Sequence, residues 1–181
     1  MTKPTLIILA HPDLPESQIN ASWYAKLIEQ APCLRFHDLY RTYPHWNIDV
    51  AAEQALLEQH ERIIFQFPMY WYSVPPMLKK WLDDVLEYGW AYGPGGNNLK
   101  DKEMGLAVST GSPEAAYQSG GRVGHTLEEM LRPLEQTIRF VGARYLPIFA
   151  LQGANQTIPE RQLKDSATDY LSHLLAPHNV Q

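Results

Sequence analysis

Five short apolar runs, separated by segments of helical length, constrain this chain more than any other feature. They are Thr5 to Ala10 (TLIILA), the weaker Leu34 to Leu39, Arg62 to Phe67 (RIIFQF), Met104 to Ser109 (MGLAVS) and Arg144 to Ala150 (RYLPIFA). Nearly continuous apolar runs of this length fit strands buried on both faces of a parallel sheet. The segments between them carry helical spacing. Ser17 to Gln30 places Ile19, Trp23, Leu27 and Ile28 on one side, and Asp49 to His60 opens on Asp49 as an N-cap. Pro75 to Tyr88 groups Leu78, Trp81, Leu82, Val85 and Leu86, with two prolines in its first turn. Thr126 to Gly142 and Pro159 to Leu175 complete the set. Strands alternating with helices predict a doubly wound α/β domain spanning residues 1–181, and 2-1-3-4-5 is the common strand order for five strands.

Composition narrows the partners. At 45% hydrophobic residues the chain carries enough apolar side chains for one compact core. A net charge of −5 with scattered basic residues shows no basic stripe, which argues against nucleic acid as a partner. The single cysteine, Cys33, rules out an internal disulfide and reads as a core thiol. No apolar run approaches the ~20 residues that cross a bilayer. A cytoplasmic protein is expected, and any work at a membrane would run through a docking partner.

In doubly wound sheets, ligands sit beyond the carboxyl ends of the strands. The first such loop, His11 to Asn20, feeds a helix N-terminus, which is an anion site. Ser17 adds a hydroxyl, Asn20 an amide, and His11 a charge if protonated. On these residues alone, Ser17 as a plain N-cap and His11 as a strand-end polar residue is the simpler reading. The third loop, Pro68-Met69-Tyr70-Trp71-Tyr72-Ser73, carries three consecutive aromatics that cannot all enter one core. At least one should face a flat ligand, though core packing or an oligomer contact explains them equally. The fourth loop, Ser109-Thr110-Gly111-Ser112, allows close backbone approach to a ligand and is equally ordinary turn chemistry. The glycine-rich stretch Tyr88 to Leu99 follows a helix rather than a strand and reads as a connecting loop, with a lid over the site or part of a dimer contact as its functional alternative. Glu128-Glu129 and Asp83-Asp84 read as solvated helix faces. There is no G-x-S-x-G elbow, no H-E-x-x-H metal pair, no P-loop and no G-x-G-x-x-G.

Taken together, His11 to Asn20, QFPMYWYSVPPMLKKWLDDVL from Gln66 to Leu86, WAYGPGG from Trp90 to Gly96 and STGSPEAAY from Ser109 to Tyr117 resemble the flavodoxin-like NAD(P)H:quinone oxidoreductases. The resemblance reaches to about Leu151 and is strongest in P-x-Y-W-Y-S-x-P-P. DLYRTYPHWNIDVAAEQALL, from Asp38, points to the bacterial branch holding the ancillary proteins of glutathione-gated potassium efflux systems. The resemblance implies FMN rather than FAD, with NAD(P)H as co-substrate and a quinone as acceptor. The nicotinamide would give hydride to the flavin, leave, and be replaced by the quinone in a ping-pong exchange. It assigns His11, Ser17 and Asn20 to phosphate and ribityl contacts, and Pro68, Met69, Tyr70, Trp71 and Tyr72 to the ring, largely through backbone groups. Ser109, Thr110, Gly111, Ser112 and Tyr117 would close over the other edge, and family members are homodimers with the site at the subunit interface. Tyr117 is the candidate proton donor, with His125 beside it as a second acid. Two positions depart from the pattern: Val123 stands where the mammalian reductases carry a histidine, and Gly111-Ser112 replaces a glycine pair. The alternative implied function is a flavin-binding regulatory subunit of a potassium–proton antiporter with little or no activity. An electron-carrying flavodoxin fits less well, because such proteins are more acidic and lack the Y-W-Y-S-x-P-P run.

Overall fold

The structure, a computed structural model, describes residues 3–30 and 34–178. Cys33 lies outside them. Parallel strands β1 (Thr5–Leu9), β2 (Leu34–Asp38), β3 (Arg62–Pro68) and β4 (Glu103–Thr110) form the sheet with β5 (Arg144–Tyr145) and β6 (Phe149–Gln152). Their order is β2-β1-β3-β4-β5, with β6 also paired to β4. Helices α1 (Gln18–Gln30), α2 (Leu39–Thr42), α3 (Val50–Glu58), α4 (Pro76–Val85), α5 (Leu127–Phe140) and α6 (Glu160–Leu175) cover its faces.

The central strands are buried on both faces, which is why their sequences do not alternate. Leu6, Ile8, Ile63, Phe65, Phe67, Met104, Leu106 and Val108 pack towards α4 and α5 around Trp81. Ile7, Ile64 and Ala107 face α1 and α6, where Trp23 and Tyr170 fill the layer. Asp49 caps α3 by accepting the Ala52 amide at 3.1 Å, as expected. Glu129 is more than a solvated side chain: it closes a capping box with Thr126 at the start of α5.

The fifth apolar run is not one strand. Tyr145 pairs with Met104, whereas Phe149 pairs with Ala107, so one extra residue enters between the two pairings. Pro147 lies in that gap and has no N–H for the ladder, so the strand breaks into β5 and β6 and shifts register there.

The inner face of α3 carries a carboxylate. Glu53 is buried and accepts hydrogen bonds from Tyr43 Oη (2.5 Å) and Trp81 Nε1 (2.6 Å), with His37 Nε2 at 2.7 Å. Three donors from β2, the end of α2 and α4 therefore meet on one group. Together they hold its carboxyl below the usual range despite the opposing effect of burial.

Candidate active site

At the end of β1, His11 accepts the Asp13 amide on Nδ1 at 3.1 Å. Burial lowers its pKa. The ring is therefore neutral and presents Nε2–H, so His11 supplies a hydrogen-bond donor rather than the charge considered from sequence. Ser17 sits in extended conformation before α1, and its Oγ accepts the Asn20 amide at 3.0 Å. A hydroxyl that accepts there has its own proton free to point outward. Among the described residues, the first-turn amides of Gln18 and Ile19 have no backbone acceptor. The loop after β1 thus carries free donors from Ser17, His11 and the α1 N-terminus, the groups an anion needs.

Asn20 requires a correction. It has no exposed surface, and its Nδ2 donates to Ser109 Oγ at 2.8 Å. Its amide is committed inside the protein and holds Ser17 from behind rather than meeting a ligand.

The loop after β3 is held by the Met69 amide, which donates to the Ser109 carbonyl at 2.8 Å. Tyr70 and Ser73 then exchange two backbone hydrogen bonds across Trp71 and Tyr72. Both central residues are left-handed, at φ 48° and φ 60°. Two-residue turns of this kind favour Asn-Gly, and an L-residue there costs roughly 1–2 kcal/mol. In return the turn throws its aromatics outward: Trp71 is 94% exposed and Tyr72 52%. The amides of Trp71 and Tyr72 have no backbone acceptor among the described residues, so they are free to bond the polar edge of a flat ring. Strain of this kind collects at functional sites.

The fourth loop arrives beside the third. The Tyr117 hydroxyl lies 4.0 Å from Met69 Sδ, at hydrogen-bond range for sulfur. Ser109 and Thr110 are buried. Thr110 Oγ1 donates to the Ser112 carbonyl at 2.8 Å, and Ser112 Oγ accepts Arg122 Nη2 at 2.6 Å. Gly111 is needed for a protein contact: a Cβ there would lie 2.7 Å from the Asn155 side chain. The close approach expected for a ligand is thus taken by Asn155. His125 is exposed and faces Glu129 at 3.6 Å, one turn along the start of α5, and makes no bond to Tyr117.

Two further segments join the site, neither of which was given a site residue from the sequence. The loop after β6 is stapled to α1 by Gln18, whose Nε2 donates to the Ala154 and Gln156 carbonyls at 3.2 Å. The G-A-N-Q turn residues at 153–156 were the available signal. Tyr40, in the short helix α2, is partly buried against the core and lies near Tyr70. Trp46 packs edge-on against it at 6.3 Å. Beyond Tyr72, a groove of about 400 Å³ runs between α4 and α5, lined in part by Tyr92, Met130, Leu134 and Phe140. The glycine-rich stretch is compact: a Cβ at Gly93 would strike the Tyr88 ring at 2.5 Å.

The chain matches the flavodoxin-like fold family over residues 3–174. It is 47% identical over 174 residues to YrkL, an uncharacterised NAD(P)H oxidoreductase of Bacillus subtilis, covering 96% of this chain and 99% of that protein. It is 42% identical over 174 residues to KefF of Citrobacter koseri, the ancillary protein of a glutathione-regulated potassium-efflux system, covering 94% and 95%. Among solved structures, general stress protein 14 of Treponema denticola in complex with FMN aligns with TM-score 0.88 and 44% identity over 94% of this chain and 97% of that one. An NADPH-quinone reductase of P. pentosaceus aligns with TM-score 0.84 and 35% identity over 98% and 99%. A structure described as a thermophilic tryptophan halogenase from Streptomycin violaceusniger aligns with TM-score 0.91 and 46% identity over 96% and 99%.

Proposed function

The chain belongs to the flavodoxin-like fold family, and from that premise we propose that it binds FMN and transfers two electrons from NAD(P)H to a quinone. The observation that carries the reading is the convergence, at one sheet edge, of an anion-binding turn and a strained aromatic turn with two free amides. A ligand that joins an acidic group to a flat ring suits that pair. Relatives named as NAD(P)H oxidoreductase and NADPH-quinone reductase support the reaction class, and the FMN complex of a relative supports the cofactor.

Ser17, His11 and the first amides of α1 would hold the phosphate. The Trp71 and Tyr72 amides would bond the ring's polar edge, where hydrogen-bond donors stabilise negative charge. FMN, when bound, would supply the two-electron redox chemistry that links nicotinamide and quinone. Trp71 and Tyr72 wall the slot in which both substrates stack in turn. Tyr117, set against Met69, orients the acceptor and delivers a proton. His125 is left out of this set because its partner is Glu129.

The exposed aromatics Tyr72 and Phe140 line the α4–α5 groove, with exposed Tyr88 edge-on to Tyr92 beside it, and a second copy of the chain would cover them as a homodimer. The similarity to KefF favours a second role, as a cytoplasmic subunit docked on a potassium–proton antiporter. No described helix is long and apolar enough to cross a membrane, so that role would require the partner.

The test is an absorbance spectrum of protein saturated with FMN and then desalted, followed by NADPH or NADH and a benzoquinone. A retained flavin band that bleaches with nicotinamide and recovers with quinone is expected. Retained flavin without turnover would favour the antiporter role, and no retained flavin in folded protein would refute both.

A further inference from the structure

Gln66 lies on β3 one turn of pleat below the site, flanked in register by Leu9 on β1 and Ala107 on β4. It has no exposed surface in this apolar setting. Its Nε2 donates to the Asn20 carbonyl at 3.3 Å and to Asn20 Oδ1 at 3.4 Å, whereas its Oε1 has no partner among the described residues. An unpaired buried acceptor is costly, and an apolar side chain would avoid the cost. The position therefore makes sense for its donor, which fixes the Asn20 amide in one orientation.

That orientation matters at both ends of the site. With Oδ1 held by Gln66, Asn20 Nδ2 points at Ser109 Oγ (2.8 Å) and Ser17 Oγ (3.5 Å). The Ser109 carbonyl in turn takes the Met69 amide that starts the aromatic turn. Ser17, receiving donors from Asn20, must turn its proton outward.

We propose that Gln66 is a positioning residue that, through Asn20, aims the Ser17 hydroxyl at the phosphate of the bound flavin. The proposal rests on the FMN reading above. It predicts that Gln66 governs affinity for the phosphate and leaves affinity for the ring nearly untouched.

The experiment compares dissociation constants of FMN and of riboflavin, which lacks the phosphate, by quenching of flavin fluorescence. Gln66→Met keeps the volume and removes both the donor and the unpaired acceptor. It should weaken FMN roughly tenfold, the scale of one hydrogen bond to a charged group, and change riboflavin by less than about twofold. Ser109→Ala, which removes the acceptor on the other side of Asn20, should give the same split and serves if Gln66→Met does not fold. Adding Ser17→Ala to Gln66→Met should cost little more than either change alone, because both act on one contact. Unchanged FMN affinity, or equal weakening of FMN and riboflavin, would overturn the proposal. Wild-type protein that binds neither flavin would overturn the FMN reading itself, and does so before any variant is made.

Discussion

Replacing Trp71 separates the strain of the aromatic turn from its use. The residue is left-handed at φ 48° and 94% exposed. With so little surface covered, its side chain has under about 0.5 kcal/mol of burial to lose. Trp71→Gly relieves roughly 1–2 kcal/mol of left-handed strain and gives back about 0.5–1 kcal/mol through the freer unfolded chain. The net is a gain of about 0.5–1 kcal/mol, or a Tm higher by about 1–4 °C for a chain of this size. Trp71→Ala removes the same ring and keeps the strain, so its Tm should stay within about 2 °C of wild type. Both variants should lose quinone turnover to a similar degree, by roughly tenfold, with the change mainly in KM, because a stacking wall binds both substrates. Thermal unfolding of the flavin-free protein and steady-state kinetics of the FMN-loaded protein read the two effects. If the glycine variant is no more stable than the alanine variant, the turn carries no strain at Trp71. If turnover is unchanged in both, the exposed ring has no part in the reaction.

Tyr117→Phe should retain FMN on desalting and slow quinone reduction at least tenfold; unchanged turnover would remove the phenol from the mechanism. Burial, His178 and Arg62 push the His173 pKa down to about 4 from 6.5. The unfolded chain therefore takes up this proton first, so the stability His173 contributes is complete above about pH 6.5 and falls as pH drops towards 4. The full shift corresponds to roughly 3 kcal/mol, and partial contact of the ring with water brings this to about 1–2 kcal/mol. Urea denaturation from pH 7 to pH 4 should show that slope, and His173→Gln should flatten it; an equal slope in the variant would place the effect elsewhere. Glu53→Ala leaves the Tyr43 and Trp81 donors unpaired and should destabilise the fold by about 3–5 kcal/mol, read as a lower urea midpoint; a loss below about 1 kcal/mol would show that the donors find other partners.

Strand and helix placement was legible because it depends on covalent neighbours and periodicity. The runs at 5–10, 62–67 and 104–109 have no polar alternation to hide, and Asp49 and Thr126 announce their helices through local caps. The rule that ligands gather at strand ends then located three of the loops that form the site. Pro147 shows where local reading fails: the apolar run continues through it, and only pairing with β4 reveals the one-residue shift. The same holds for function. His11, Ser17, Asn20, Gly111 and Tyr117 were all picked from the sequence, yet their roles differ with what packed against them. His11 became a neutral donor through Asp13, Gly111 became the seat of Asn155, and Asn20 turned inward to a serine 89 positions away. Tyr40, Trp46 and Gln66 lie in stretches that carried the resemblance, yet nothing in their local sequence marks the part each plays. Which residues form an element is decided within a few bonds, whereas which atom of a side chain remains free for a ligand is decided by partners that only the folded sheet brings within hydrogen-bond range.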